Sequence, residues 1–251
     1  MTEPLVQRCT EGAIARITLG DPSHANALSS TMMTALDDAL ADAIADPAAR
    51  VIVLGAAGKI YCAGHDLGEL RSSDEAAGHE ALFAQCSALM MRIVGSPKPV
   101  IARVQGAAVA AGCQLVASCD LAFAVDTARF AVSGINLGLF CSTPGVAVAR
   151  AVGRKDALDL LLTGRFASAA EAGSMGLINR AVPAADLDAA VDEAAAAIAA
   201  KPPEAIALGK AVFNRQVEAP LADAYAVASR AMAENLGYVS AKAGIDGFLK
   251  R

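Results

Sequence analysis

Hydrophobic and polar positions along the chain change period several times. Residues 13–19 alternate, with Ala13, Ala15, Ile17 and Leu19 on one face, as a half-buried strand requires. A turn opened by Asp21-Pro22 and continued over residues 23–27 leads into a different spacing. Met32, Leu36, Leu40 and Ile44 recur every four residues, with Asp37, Asp38 and Asp42 opposite. That pattern predicts an amphipathic helix with a solvated acidic face. Ser29 or Ser30 is available as its N-cap, and Asp46-Pro47 ends it. Residues 51–54 (VIVL) form a continuous apolar run, as in a strand buried on both faces.

Residues 56–70 read AAGKIYCAGHDLGEL, with Asp66-Leu67 opening a helix. Leu82, Cys86, Leu89, Met90 and Ile93 share one side of a long helical pattern over residues 76–93. Ser96-Pro97-Lys98-Pro99 breaks it, because proline cannot continue a helix. Strands follow at 100–104 and 121–125, with GAAVAAGCQLVASCD (106–120) between them. Repeated strand–turn–helix order predicts an α/β class. Residues 130–144 are punctuated by glycine, and 145–152 and 155–162 read as helices. Ser168-x-x-Glu171 is a capping box, and 177–182 is a last short strand. Beyond Pro183 only helices are expected, at 187–200, 203–217, 221–235 and onward to residue 251. This divides the chain into an α/β core, 1–183, and a helical region, 184–251, with no sequence repeat and no linker between them.

Residues 106–120 carry the first chemical signal. Small residues pass through Gly112 into an apolar helix whose lone polar side chain is Gln114. A glycine turn feeding a helix presents free N–H groups forward, as stabilisation of a developing oxyanion requires. A tightly packed loop-to-helix junction gives the same pattern.

Composition removes several classes of function. Hydrophobic residues make up 55% of 251, which excludes disorder. The longest apolar run, 107–113, is far shorter than the roughly 20 residues of a membrane span. The start MTEPLVQRCTEG has neither a basic region nor an apolar signal core, so a cytosolic protein is expected. Six scattered cysteines without a C-x-x-C pair point to reduced, buried thiols. The three histidines are dispersed, and no metal site is expected. A net charge of −5 without basic clusters, and 4% aromatic residues, argue against nucleic-acid binding.

Three stretches together resemble the crotonase (enoyl-CoA hydratase/isomerase) superfamily: residues 51–67 with CAGHDL, 106–120 with AAGCQLVASCD, and 130–145. A hydratase-like subgroup matches these words most nearly. The resemblance covers nearly the whole chain. It implies a spiral of ββα units followed by a helical trimerisation region, assembled as trimers or dimers of trimers. It implies a CoA thioester as substrate, no tightly bound cofactor, and a place in fatty-acid metabolism as a lyase or isomerase. By position, the backbone amides of His65 and Ala111 would hold the thioester oxygen. Ala63, Gly64, Asp66 and Leu67 would line the adenine and pantetheine path, with Ala25 and Ala27 touching CoA. Phe248 falls where a neighbouring subunit's aromatic closes the nucleotide pocket.

Two positions depart from the family's hydratases, which have glutamates where this chain has Gln114 and Gly134. A carboxamide holds water but cannot take its proton near neutrality. Each missing acid or base forfeits roughly 10²–10⁴ in rate, so ordinary two-glutamate hydration is not expected. The His65 side chain is a candidate substitute base, because histidine titrates near neutrality. The alternative is that its amide alone works. Gln114 is read as an amide facing the pocket rather than a satisfied helix residue. Cys141 has no His or Lys nearby in sequence to activate it as a nucleophile. The remaining alternatives are another acyl-CoA isomerase, decarboxylase or hydrolase, and a CoA-binding oligomeric scaffold without turnover.

Overall fold

The computed structural model describes residues 4–72 and 75–250. Residues 1–3 and 251, counted in the core and the tail above, lie outside them. β1 (Val6–Glu11) and β2 (Ile14–Leu19) form an antiparallel hairpin turned at Gly12, whose φ is +59°. β2 buries Ala15, Ile17 and Leu19, the face its alternation marks. α1 (Ser30–Ala45) is capped by the Ser29 hydroxyl, which accepts from the Met32 amide. β3 (Val51–Ala56), buried at every position, then joins β2 in parallel.

From β3 onward the chain repeats one structural unit. A strand enters the main sheet, a shorter strand enters a second sheet, and a helix follows. The first unit is β3, β4 (Ile60–Cys62), α2 (Leu67–Arg71) and α3 (Ala76–Gly95). The second is β5 (Val100–Val104), β6 (Ala107–Val109) and α4 (Ala111–Ser118). The third is β7 (Leu121–Val125), β8 (Arg129–Ala131) and α5 (Ser142–Ala151). α6 (Arg154–Thr163), β9 (Ala167–Ser168), α7 (Ala169–Met175) and β10 (Arg180–Val182) complete this part. The main sheet runs β1-β2-β3-β5-β7-β10 and the second β4-β6-β8-β9. The short second-sheet strands have no alternation to read, because three residues hardly span one period.

Glycine sets how closely the units stack. A Cβ at Gly106 would lie 1.9 Å from the Lys59 carbonyl oxygen, and one at Gly112 would lie 2.2 Å from that of Cys62. Any larger residue would push α4 off β4.

α8 (Leu187–Ala199) buries Leu187, Ala190, Val191 and Ala195 and packs on β3, β5 and β7. It is therefore continuous with the core, although it lies beyond the residue-183 boundary drawn from sequence. In α9 (Pro203–Gln216), α10 (Leu221–Leu236) and α11 (Val239–Leu249), Ala224 alone is buried. Lys210 ties α9 to the core. Its Nζ donates to the Ile93 oxygen at 3.0 Å and to Asp120 Oδ2 at 2.7 Å, and Asp120 also accepts the Val100 amide at 2.7 Å. The acidic face of α1 is not wholly solvated, because Asp37 pairs with Arg92 of α3.

Candidate active site

The turn before α1 is held by a buried amide. Asn26 is wholly buried, and its Nδ2 donates to the Ala57 and Ile60 oxygens at 2.9 and 2.8 Å. Its Oδ1 accepts the Asp21 amide at 3.0 Å. Ala25 and Asn26 sit in the left-handed region, at φ +53° and +52°. This bent turn lies along residues 63–65: the Ala63 amide donates to the Ala25 oxygen at 3.0 Å, and the Leu28 amide to the Gly64 oxygen at 2.7 Å. Ala25, Ala27, Ala63 and Gly64 are thus brought together. Asp66 caps α2 by accepting the Glu69 amide at 3.0 Å, and Leu67 stands half exposed beside it. Glu69 accepts the Ser30 amide at 2.8 Å, clamping α2 to the start of α1.

Gly64 has φ +96°, and a Cβ there would lie 2.9 Å from Ala110 Cβ and 3.3 Å from the Ala111 nitrogen. Residues 64–65 therefore rest directly against the start of α4. Ala110 precedes that helix at φ 49° and ψ −115°, a conformation costly for any residue with a Cβ. Its amide is taken by the Ala131 oxygen at 2.8 Å. The next amide, that of Ala111, belongs to the first turn and has no acceptor within the helix. Among the described residues, neither the His65 nor the Ala111 amide donates to another backbone group. Two unengaged N–H groups side by side can polarise a carbonyl and hold the negative charge of its enolate.

Gln114 is 4% exposed, and its Oε1 lies 3.9 Å from Cys86 Sγ of α3. The His65 ring places Nδ1 3.3 Å from the Leu28 oxygen and meets Phe83 edge-on at 5.4 Å. Its Nε2 is buried without a partner among the described residues, and burial lowers the imidazole below its ordinary titration range.

Position 134 is not the vacancy that a missing glutamate suggests. A Cβ on Gly134 would lie 2.6 Å from the Leu139 oxygen and 2.8 Å from Cys141 Sγ. The following loop has closed over the glycine and fills its place. Cys141 accepts the Gly134 amide at 3.3 Å, and burial pushes its thiol up, away from nucleophilic use. Phe248 is 76% exposed on α11 and is not brought to the site within one chain. A cavity of about 1220 Å³ lies between the C-terminal end of α4 and α9, lined by Ser118, Asp120, Lys210 and Phe213. It is not lined by His65 or Ala111. Among the described residues no cluster suits a metal ion, and no helix is long and apolar enough to cross a membrane.

Asn26, Ala110 and Phe83 were not singled out from sequence. A polar residue between two alanines marks Asn26, whereas alanine carries no sign of the positive φ it adopts at 110.

Residues 9–251 match the model of the enoyl-CoA hydratase/isomerase family, and the chain belongs to that family. The subgroup its motifs resemble also appears among individual relatives. The human protein named enoyl-CoA hydratase domain-containing protein 3, mitochondrial, is 46% identical over 239 residues, covering 95% of this chain and 78% of that one. The crystal structure of human enoyl coenzyme A hydratase domain-containing protein 3 superposes with a TM-score of 0.95 at 42% identity, covering 98% of each chain. The crystal structure of an enoyl-CoA hydratase of Mycobacterium smegmatis gives 0.97 at 49% identity, covering 99% of this chain and 97% of its own. The mixed α/β crotonase fold read from the motifs stands. The human relative's name places it in mitochondria and lends no support to the cytosolic expectation for this chain.

Proposed function

We propose that the chain binds an acyl-CoA thioester, polarises its carbonyl between the His65 and Ala111 amides, and stabilises the derived enolate. The observation that carries this reading is the pair of unengaged amides pressed together at Gly64 and Ala110. The strip of Ala25, Ala27, Ala63 and Gly64, with Asp66 and Leu67 after it, is the CoA path in this reading. CoA thioester is substrate, and no resident cofactor takes part. Hydration by two carboxylates is not the chemistry, because Gln114 cannot accept a water proton and position 134 is closed over. The exposed apolar faces of α9 to α11, including Phe213, Tyr225, Met232 and Phe248, favour self-association through the tail as a trimer or a dimer of trimers. Exchange of the α-protons of butyryl-CoA in deuterated buffer tests the reading. Exchange supports an enolate-forming enzyme, whereas tight binding without exchange favours a scaffold that holds CoA esters.

A further inference from the structure

α9 meets the core where α3 ends. It packs chiefly on α10, and none of its apolar residues is buried. Among the described residues its side-chain hydrogen bonds to the core come from Lys210 and Asn214, one turn apart on one face. Lys210 Nζ donates to the Ile93 oxygen at 3.0 Å and to the Lys98 oxygen at 3.4 Å, and pairs with Asp120 at 2.7 Å. Asn214 Nδ2 donates to the Val94 oxygen at 2.9 Å. Ile93 and Val94 belong to the last turn of α3, whose carbonyls lack partners within the helix. The tail thus supplies the C-terminal cap of α3, with a cation where the helix dipole favours one.

The same helix touches the candidate site. Phe83 meets the His65 ring edge-on at 5.4 Å, and the Cys86 thiol faces Gln114 Oε1 at 3.9 Å. His65 carries one of the two unengaged amides, and Gln114 lies one turn beyond Ala111, which carries the other. The span from Cys86 to Ile93 is about 10 Å of helix, and that from Phe83 is about 15 Å. No glycine or proline interrupts residues 83–93, and Cys86, Leu89, Met90 and Ile93 are buried along them. Such a helix moves as a rod, so a shift of its capped end is carried to Phe83 and Cys86. On its other side the rod is fastened to α1, through Arg92 with Asp37 and through Gln85 with the Ser30 oxygen and Thr34. A site whose donors must be placed to about 0.5 Å depends on both fastenings.

We propose that Lys210 and Asn214 are positioning residues for the candidate site. By capping α3 they set its seat, and through Phe83 and Cys86 they set the placement of His65 and Gln114. That placement is a property of the free chain, whereas its effect on turnover rests on the thioester reading above.

¹H–¹⁵N NMR of the ligand-free full chain tests it. Asn214→Ala removes one cap and leaves Lys210 with Asp120. The backbone amide signals of His65 and Ala111 and the side-chain amide signals of Gln114 should then shift. Arg50→Gln is the control, because it removes a tie to α8 that bypasses α3, the bond from Arg50 to the Ala199 oxygen at 3.0 Å. It should leave those signals in place. Should Asn214→Ala fail to fold, Asn214→Leu keeps the volume without the donor. His65, Ala111 and Gln114 signals that stay put in the folded variant, or move equally in the control, overturn the proposal. Exchange of butyryl-CoA α-protons gives a second readout. Asn214→Ala should lower the saturated rate about tenfold with KM within about twofold, since about 1 Å of misplacement can cost about 10²-fold. Equal rates in the variant and an exchanging unmodified chain overturn the proposal. An unmodified chain without exchange overturns the thioester reading instead, and the NMR comparison alone then decides the positioning role.

Discussion

Gly134 donates its amide to Cys141 Sγ at 3.3 Å, and a Cβ on Gly134 would come within 2.8 Å of that sulfur. The Leu139 amide returns to the Gly134 oxygen at 2.9 Å, so the loop is folded tightly around an absent side chain. Overpacking of this kind typically costs about 1–3 kcal/mol. Gly134→Ala should lower stability by that amount in urea denaturation, and Gly134→Glu by at least as much. Unchanged midpoints would show that the loop opens freely.

The same closure bears on hydration. Crotonyl-CoA turnover by the unmodified chain should fall at least 10²–10⁴ below that of a two-carboxylate enzyme. Gln114→Glu should raise it, and adding Gly134→Glu should give no further gain, because the new side chain must first displace the loop. Loss of the conjugated thioester absorbance reports each rate. Fast hydration by the unmodified chain would contradict the argument from the missing carboxylates.

Ala110 holds φ 49° immediately before the Ala111 amide. Glycine adopts that conformation freely, although it gains entropy in the unfolded chain. Relief of the strain should outweigh that loss, so Ala110→Gly should stabilise the fold by about 1 kcal/mol. It should also loosen the amide's aim and weaken acyl-CoA binding. Denaturation and titration on the same sample separate the two effects, and destabilisation would show that Ala110 is not strained.

Acid should expose His65. Burial depresses its imidazole below 6.5, against smaller opposing effects from the Leu28 carbonyl and Glu69. Between the native value and 6.5 the unfolded chain binds more protons than the folded one, so stability falls as pH drops through that window. His65→Phe should flatten this part of the stability profile. Identical slopes in the two proteins would place the ring in contact with water.

Lys210 is 8% exposed in its pair with Asp120. Lys210→Met leaves Asp120, whose side chain is 26% exposed, without its cation but still bound to the Val100 amide, so it should cost about 1–3 kcal/mol. It should also make α9 an early site of limited proteolysis. Adding Asp120→Asn should recover part of the loss, and full stability in the single variant would show that the pair is solvated.

Most of the fold was legible because its elements carry strong periods. The alternation of Ala15, Ile17 and Leu19, the four-residue spacing from Met32 to Leu40, and the Ser168–Glu171 box all appear where the pattern puts them. Strands β4, β6 and β8 were hidden because their pairing is decided by distant backbone rather than by local pattern. At the site, the motifs marked His65, Ala111 and Gln114, and glycine at 64 and 112 signalled close approach. The closure over Gly134 depends on Leu139 and Cys141 arriving from the far side of a turn, which a residue type cannot announce. Phe248 was marked by position alone, and a single chain leaves it exposed.

The central claim is that the amides of His65 and Ala111 together polarise a thioester carbonyl. Isotope-edited infrared difference spectroscopy of butyryl-CoA labelled with ¹³C at the carbonyl measures that directly. Two hydrogen bonds from unengaged amides should shift the bound carbonyl stretch below its value in water. A bound ester whose carbonyl frequency equals that of the free ester would contradict the account.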